Sequence, residues 1–380
     1  MSVRVLVVDD SAVFGRVMKQ ALESIPDLEV AGLCRTGAAA LERMRSEPID
    51  LATLDIEMPG TNGLDVLMAM RREGIKTAAV MVSSADDHAR ELTMRALQLG
   101  ALDFIPKPQG DGAEESVELL RERLIPIAAA AAHRKEVQTI LRSGARKTVT
   151  LTAPPASIPV EEYGRNPVTP VLRVVHSQEI PRPARRRRRA KPAMVLIGVS
   201  TGGPEALARI IPALPGTLRV PVLIVQHMPP LFTQTLAQKL DSSSALCVSE
   251  ARDGETAVPG HVYLAPGGKH LKVVAGRQSE IVLRITGDPP ENNCRPAVDV
   301  LFRSAANAFP GLCVAVILTG MGRDGTLGLR DLREAGVTAI AQDEGSCTVF
   351  GMPKEAIQAG VVDIISPLSS VASEIVKAVC

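Results

Sequence analysis

Five short apolar runs, at residues 3–8, 28–33, 49–54, 78–82 and 103–105, alternate with amphipathic stretches such as 11–24, 38–46 and 63–73. Strand and helix patterns trading places at that pace predict a parallel sheet covered on both faces. Residues 113–142 read as a further helix, with a break expected at Pro126 because proline lacks the amide hydrogen. Periodicity then stops between 143 and 192. Eight of the 28 prolines fall between Pro154 and Pro192, so this stretch reads as an extended linker.

From Met194 the alternation resumes, with strands expected at 195–198, 222–226, 261–265, 314–318, 338–341 and 361–365. Helical patterns cover 204–211, 297–308 and 325–335. Residues 261–286 carry short β-rich runs around Pro266-Gly267-Gly268, which predicts hairpins interrupting the α/β pattern. No internal repeat is present. The fold class that follows is α/β, with two doubly wound parallel-sheet domains joined by a long linker. The domains are expected at 1–125 and 193–380, with a helical and then Pro/Arg-rich segment over 126–192.

Composition narrows this only at the edges. Apolar residues make up 46% and charged residues 22%, as in soluble globular chains. Trp is absent and there are two Tyr and six Phe, so the cores must be aliphatic. The net charge of +1 calls for no polyanionic partner. One local excess stands out: Arg182, the five arginines at 185–189 and Lys191. Clustered arginine binds phosphates, yet no helix-turn-helix signature or aromatic platform accompanies it. A solvated linker is the expected role, and nucleic acid is not an expected partner. The six Cys are scattered without a C-x-x-C pair, which argues against a zinc site or disulfide framework and fits a reducing cytosol. The N-terminal apolar run is too short for a signal peptide, and no run nears the ~18 apolar residues of a membrane span. A cytoplasmic monomer is expected.

The candidate chemistry gathers at predicted strand ends, where ligand sites of parallel sheets lie. Asp9 and Asp10 end the first strand and Asp55 the third. Three converging carboxylates repel one another unless a hard cation such as Mg²⁺ sits among them. Ser83 ends the fourth strand and Lys107 follows the fifth, before Pro108, where a cis peptide is expected. Any one of these is ordinarily a turn former or cap. Five at successive strand ends suit a phosphoryl group carried on one aspartate. The set VLVVDDS, LDIEMPGTNGLD, MVSS and KP resembles the receiver domain of two-component response regulators, a flavodoxin-like fold. The resemblance implies that Asp55 accepts a phosphoryl group from a histidine kinase. It implies further that Asp9, Asp10, Asp55 and the Glu57 carbonyl hold Mg²⁺, and that Ser83 and Lys107 contact the phosphoryl oxygens. Phe104 falls where that family has an aromatic switch residue.

The second half holds Gly198-x-Ser200-x-Gly202 between an apolar strand and a helix, the context of a nucleophile elbow. Phosphate binding is the rival reading of a Gly-rich strand-to-helix turn, but neither G-x-G-x-x-G nor a P-loop is present. His227 ends the next strand; His261 and His270 are weaker candidates for a base. Asp324 lies in a loop shaped by Gly320, Gly322 and Gly325. The order Ser…His…Asp differs from that of α/β-hydrolases, as convergent triads allow.

IGVSTGGPEAL, QHMPPLFT, GHVYLAPGGKHL, RPAVDVLFRSAA, ILTGMGRDG and QDEGSCTVFGMPKEA resemble the bacterial chemotaxis protein-glutamate methylesterase family over about 193–378. The resemblance implies a Rossmann-like domain with Ser200 as nucleophile, His227 as general base and Asp324 as orienting carboxylate. The N–H groups of Thr201 and Met321 would line an oxyanion site. It further implies methylated chemoreceptor helices as substrate, glutamine deamidation as a second reaction, a chemosensory histidine kinase as partner, and no cofactor for the esterase step. Two positions depart from the pattern. Cys294 and Ala297 stand where a His and a Ser are expected, which bears on substrate fit rather than on the triad. A binding-only adaptor and a DNA-binding regulator are the rival classes. A serine-reactive probe separates the first, and salt-dependent DNA binding the second.

Overall fold

The computed structural model describes residues 2–84, 86–108, 112–143 and 191–379. The arginine run at 185–189 lies outside the described residues, as does the rest of the 144–190 stretch.

The first domain holds β1 (Val3–Val8), α1 (Ala12–Glu23), β2 (Leu28–Cys34), α2 (Gly37–Ser46), β3 (Leu51–Asp55), α3 (Gly63–Glu73), β4 (Ala78–Ser83), α4 (Asp87–Gln98), β5 (Asp103–Pro106) and α5 (Ala113–Ser143). The strands run parallel in the order β2-β1-β3-β4-β5, which is the flavodoxin-like winding. β1, β3 and β4 sit inside the sheet, and nearly every residue in them is buried, as continuous apolar runs require when both faces are covered.

Two expectations fail in this half. α5 does not break at Pro126 but continues for 31 residues. Leu120, Leu124, Ile127 and Ala131 keep one buried stripe on both sides of the proline, in a single cluster with Val3, Val5 and Met18. Packing of that stripe outweighs the one lost backbone hydrogen bond. The Lys107–Pro108 bond is trans, and the cis X-Pro bond among the described residues is Arg295–Pro296. The Lys107 amide donates to the Ser83 carbonyl at 2.7 Å, extending the β4–β5 ladder. That register already aims the lysine at the carboxylates.

The second domain begins with β6 (Met194–Val199), α6 (Gly203–Ile210), β7 (Val222–Gln226), α7 (Phe232–Asp241), β8 (Cys247–Glu250), β9 (His261–Leu264), β10 (His270–Ala275) and β11 (Ile281–Thr286). It ends with α8 (Val298–Ala308), β12 (Cys313–Ile317), α9 (Thr326–Glu334), β13 (Thr338–Gln342), α10 (Met352–Gln358), β14 (Ile364–Ser366) and α11 (Leu368–Val379). Seven parallel strands run β14-β13-β12-β6-β7-β9-β8. Along β6 the side chains alternate: Val195, Ile197 and Val199 face α6, α7 and α11, while Met194 and Leu196 face α8, α9 and α10.

The hairpin expected across 261–286 is β10–β11 alone, an antiparallel pair outside the main sheet. The 261–264 segment instead pairs in parallel with β7 and β8. The last strand starts at Ile364 rather than 361, because Val361 is buried in the core and Asp363 spends its amide and carboxylate on Ala339. The chain winds outward from β6 through β7, then returns to its other side through β12. The switch point therefore falls between β6 and β12.

Candidate active site

Ser200, His227 and Asp324 follow β6, β7 and β12, three neighbours in the sheet. The turn at Ser200 is tight. Its amide donates to the Thr319 carbonyl at 3.0 Å, and its carbonyl accepts from Gly203 N at 2.8 Å and Gln226 Nε2 at 2.9 Å. Gly202 adopts φ 79°, and a Cβ there would stand 2.5 Å from the Thr348 side chain. A Cβ on Gly320 would come within 2.7 Å of Ser200 Cβ, so the β12 loop can pass the serine only as glycine. Thr319 completes the support, its hydroxyl donating to the Thr201 carbonyl at 3.0 Å.

The ring of His227 is gripped at Nε2 by Asp324 Oδ2, at 2.7 Å. The same carboxylate accepts from Val298 N (2.6 Å), Asp299 N (3.0 Å), Gly325 N (3.0 Å) and Asn292 Nδ2 (2.9 Å). Two of these amides open α8, so the aspartate also sits at the positive end of a helix dipole. Burial works to raise the Asp324 carboxyl, but the His227 hydrogen bond and charge and the backbone donors outweigh it and hold it below its ordinary value. Burial likewise works to lower the His227 ring. The hydrogen bond to Asp324 and the contact with Cys294 outweigh it and push the ring up.

The other ring nitrogen, Nδ1, does not meet the serine. It lies 3.6 Å from Cys294 Sγ, and among the described residues the Ser200 hydroxyl makes no hydrogen bond. The structure thus joins His227 to Asp324, brings Ser200 to the adjoining strand end, and sets Cys294 against the open nitrogen. The backbone amides of Thr201 and Met321 donate no hydrogen bond among the described residues. Among the described residues both are therefore available as donors. The two weaker histidines are accounted for elsewhere. His261 opens β9 and so lies at the opposite strand ends from His227, bonded to Ser249 and stacked on Tyr263. His270 is fully buried, with one nitrogen against the Pro289 carbonyl and the other accepting from Ala297 N.

In the first domain Lys107 Nζ lies 2.7 Å from Asp55 and 3.2 Å from Asp9. Asp9, Asp10 and Asp55 present oxygen atoms that all lie within 4.8 Å of one another, and the Lys107 ammonium stands against the buried Asp9 Oδ2. Burial raises the Asp55 carboxyl to about 6; Lys107 opposes the rise and Asp9 adds to it. The Glu57 amide donates to Asp55 at 3.3 Å. Ser83 is fully buried and accepts from Thr93 of α4 at 2.8 Å.

The two sites meet. Asp103 Oδ2 accepts from the Thr201 hydroxyl at 2.6 Å, and the rings of Phe104 and Phe232 are 4.4 Å apart. α4 packs on α6 and α7, and Val349 and Met321 pack into the cluster that contains Ile127 and Ala130 of α5. Sequence reasoning missed Gln226, Asn292, Asp299 and Asp103, which act through contacts distant in the chain. The one hint was Cys294, a departure from the family pattern two residues from Asn292.

A family model described as CheB methylesterase matches residues 195–375, and one described as response regulator receiver domain matches 5–121. The protein-glutamate methylesterase/protein-glutamine glutaminase of Desulfotalea psychrophila is 42% identical over 379 residues, covering 100% of this chain and 99% of that protein. The Bacillus subtilis protein of the same name is 40% identical over 380 residues, with 99% and 98% covered. The crystal structure of the Thermotoga maritima CheB methylesterase catalytic domain is 44% identical and covers 50% of this chain and 99% of that one, with a TM-score of 0.48. Identity of that degree along the whole of both chains means that this chain belongs to the CheB family of protein-glutamate methylesterase/protein-glutamine glutaminase hydrolases, built as a receiver domain followed by a methylesterase domain.

Proposed function

We propose that this chain hydrolyses glutamate methyl esters, and deamidates particular glutamines, on chemoreceptor signalling helices through Ser200, His227 and Asp324, and that phosphorylation of Asp55 switches the reaction on. The observation that carries the reading is the His227–Asp324 pair at 2.7 Å, one strand from Ser200.

Asp324 accepts at Nε2, so that nitrogen carries the proton and Nδ1 offers the lone pair. Ser200 Oγ attacks the ester carbonyl and passes its proton to Nδ1. The oxyanion is stabilised by the Thr201 and Met321 amides, which have no other acceptor among the described residues. His227 returns the proton to the departing methoxide, and methanol leaves an acyl-enzyme. Water, deprotonated at the same nitrogen, then releases the glutamate carboxylate. With a glutamine substrate the leaving group is ammonia.

In the resting arrangement the Asp103–Thr201 hydrogen bond and the Phe104–Phe232 contact hold the receiver against the serine turn. A histidine kinase supplies the phosphoryl group to Asp55. Asp9, Asp10, Asp55 and the Glu57 carbonyl would hold Mg²⁺, and the convergence of the three carboxylates' oxygen atoms to within 4.8 Å of one another supports that fit. When bound, the cation neutralises phosphoryl charge during transfer. Lys107 and Ser83 then turn to the phosphoryl oxygens. Ser83 leaves Thr93, which frees α4 to repack and loosens its hold on α6 and α7.

Methanol release from methylated receptor, with and without a small phosphodonor, tests both parts. The phosphodonor should raise the rate of the intact chain and leave Asp55→Asn unchanged. Ser200→Ala should lose at least about a thousandfold in turnover with the fold intact. Near-normal release by that variant ends the nucleophile assignment.

A further inference from the structure

The loop 291–294 brings a thiol to the free side of the catalytic imidazole. We propose that Cys294 and His227 form a site for a thiophilic divalent cation of the Zn²⁺ class, and that its occupation silences the esterase by taking the lone pair on which Ser200 depends. The effect on turnover rests on the triad reading above; the binding itself does not.

Three observations carry it. First, Cys294 Sγ and His227 Nδ1 are 3.6 Å apart. Zinc bonds of about 2.3 Å to sulfur and about 2.0 Å to nitrogen, at the tetrahedral angle, span about 3.5 Å between the two ligand atoms. The pair is already spaced as one edge of such a site. Second, the ring's other nitrogen donates to Asp324 at 2.7 Å. A carboxylate behind a ligating histidine orients the ring and strengthens it as a donor to metal. Third, the backbone that carries the thiol is fixed. Glu291 and Cys294 exchange backbone hydrogen bonds at 3.1 and 2.9 Å, and Asn292 between them is tied to both Asp324 and Asp299. One carboxylate thus positions both ligands. Ligand atoms of His227, Cys294 and Asp324 all lie within 4.8 Å of one another.

The donor chemistry separates this site from the receiver's. Sulfur and imidazole favour zinc-like ions, whereas the all-oxygen set of Asp9, Asp10 and Asp55 favours Mg²⁺. On binding, the Cys294 thiol loses its proton to solvent and a metal–thiolate bond forms. The remaining coordination positions fall to water, so the ion exchanges and the block is reversible.

Co²⁺ is the probe, titrated into the full chain with Mg²⁺ in excess to fill the oxygen site. One equivalent should produce a sulfur-to-cobalt charge-transfer absorption. Zn²⁺ should abolish it, and Ser200→Ala should keep it. Cys294→Ala and Cys294→Ser should both lack it. Zn²⁺ should inhibit methanol release, a chelator should restore it, and Cys294→Ala should need at least about tenfold more Zn²⁺ for the same inhibition. No such absorption in the unaltered chain, or one that persists in both Cys294 variants, overturns the site. Ser200→Ala that turns over normally yet keeps the absorption would refute the triad and leave the cation site standing.

Discussion

His227 is held from both sides, and under the proposed triad that hold would set the pH at which it could serve as a base. Burial alone would lower its pKa. Asp324 at Nε2 and Cys294 at Nδ1 reverse that and push the ring up to about 10. A general base must be neutral, and a raised pKa means neutrality is reached only on the alkaline side. Methanol release should therefore climb with pH through the neutral range and beyond. Cys294→Ala removes one of the two raising contacts, so its pH–rate midpoint should move to lower pH. A profile that is flat above neutrality in the unaltered chain contradicts this electrostatic account. Ser200, His227 and Asp324 could be singled out beforehand, because a Gly-x-Ser-x-Gly turn and polar residues just past apolar strands stand out in the chain. Asn292 and Cys294 could not: their partners lie 32 and 67 positions away.

The elements bear the geometry of the site. α8 spends its first two amides on Asp324, so the helix and the carboxylate fix each other. The turn into α6 depends on Gly202, at φ 79° with Thr348 against it. Gly202→Ala adds both backbone strain and a steric clash. It should destabilise the catalytic domain by about 1–3 kcal/mol, read as a lowered denaturation midpoint. An unchanged midpoint would mean that the turn relaxes freely. Most strands matched their predicted runs to within a residue or two, because a buried parallel strand must be continuously apolar. The failures have a common cause. Pro126 stays within α5, and only one hairpin forms across 261–286, because packing across the fold outweighed a local signal.

At the scale of the whole molecule, the receiver leans on the serine turn through a few contacts. A single neutral hydrogen bond is worth about 1 kcal/mol net, and one to a charged group somewhat more. Asp103→Ala deletes the bond to Thr201 and should raise unphosphorylated methanol release by roughly threefold to tenfold. The gain from a phosphodonor should shrink in the same variant. If basal release is unchanged, that bond does not hold the resting state. Lys239 and Glu91, 3.7 Å apart with the glutamate exposed, should matter far less.

The residue pattern by itself determined the two parallel α/β domains and placed the carboxylates at one set of strand ends and Ser200, His227 and Asp324 past three others. Each follows from a local rule: apolar runs make buried strands, and chemistry gathers where parallel strands end. Only the tertiary structure decided that Cys294, rather than Ser200, meets the open imidazole nitrogen, and that Asp103 of one domain grips Thr201 of the other. Those contacts join segments with no sequence relation to one another. They depend on how the loops and the two domains pack, and no local spacing encodes that.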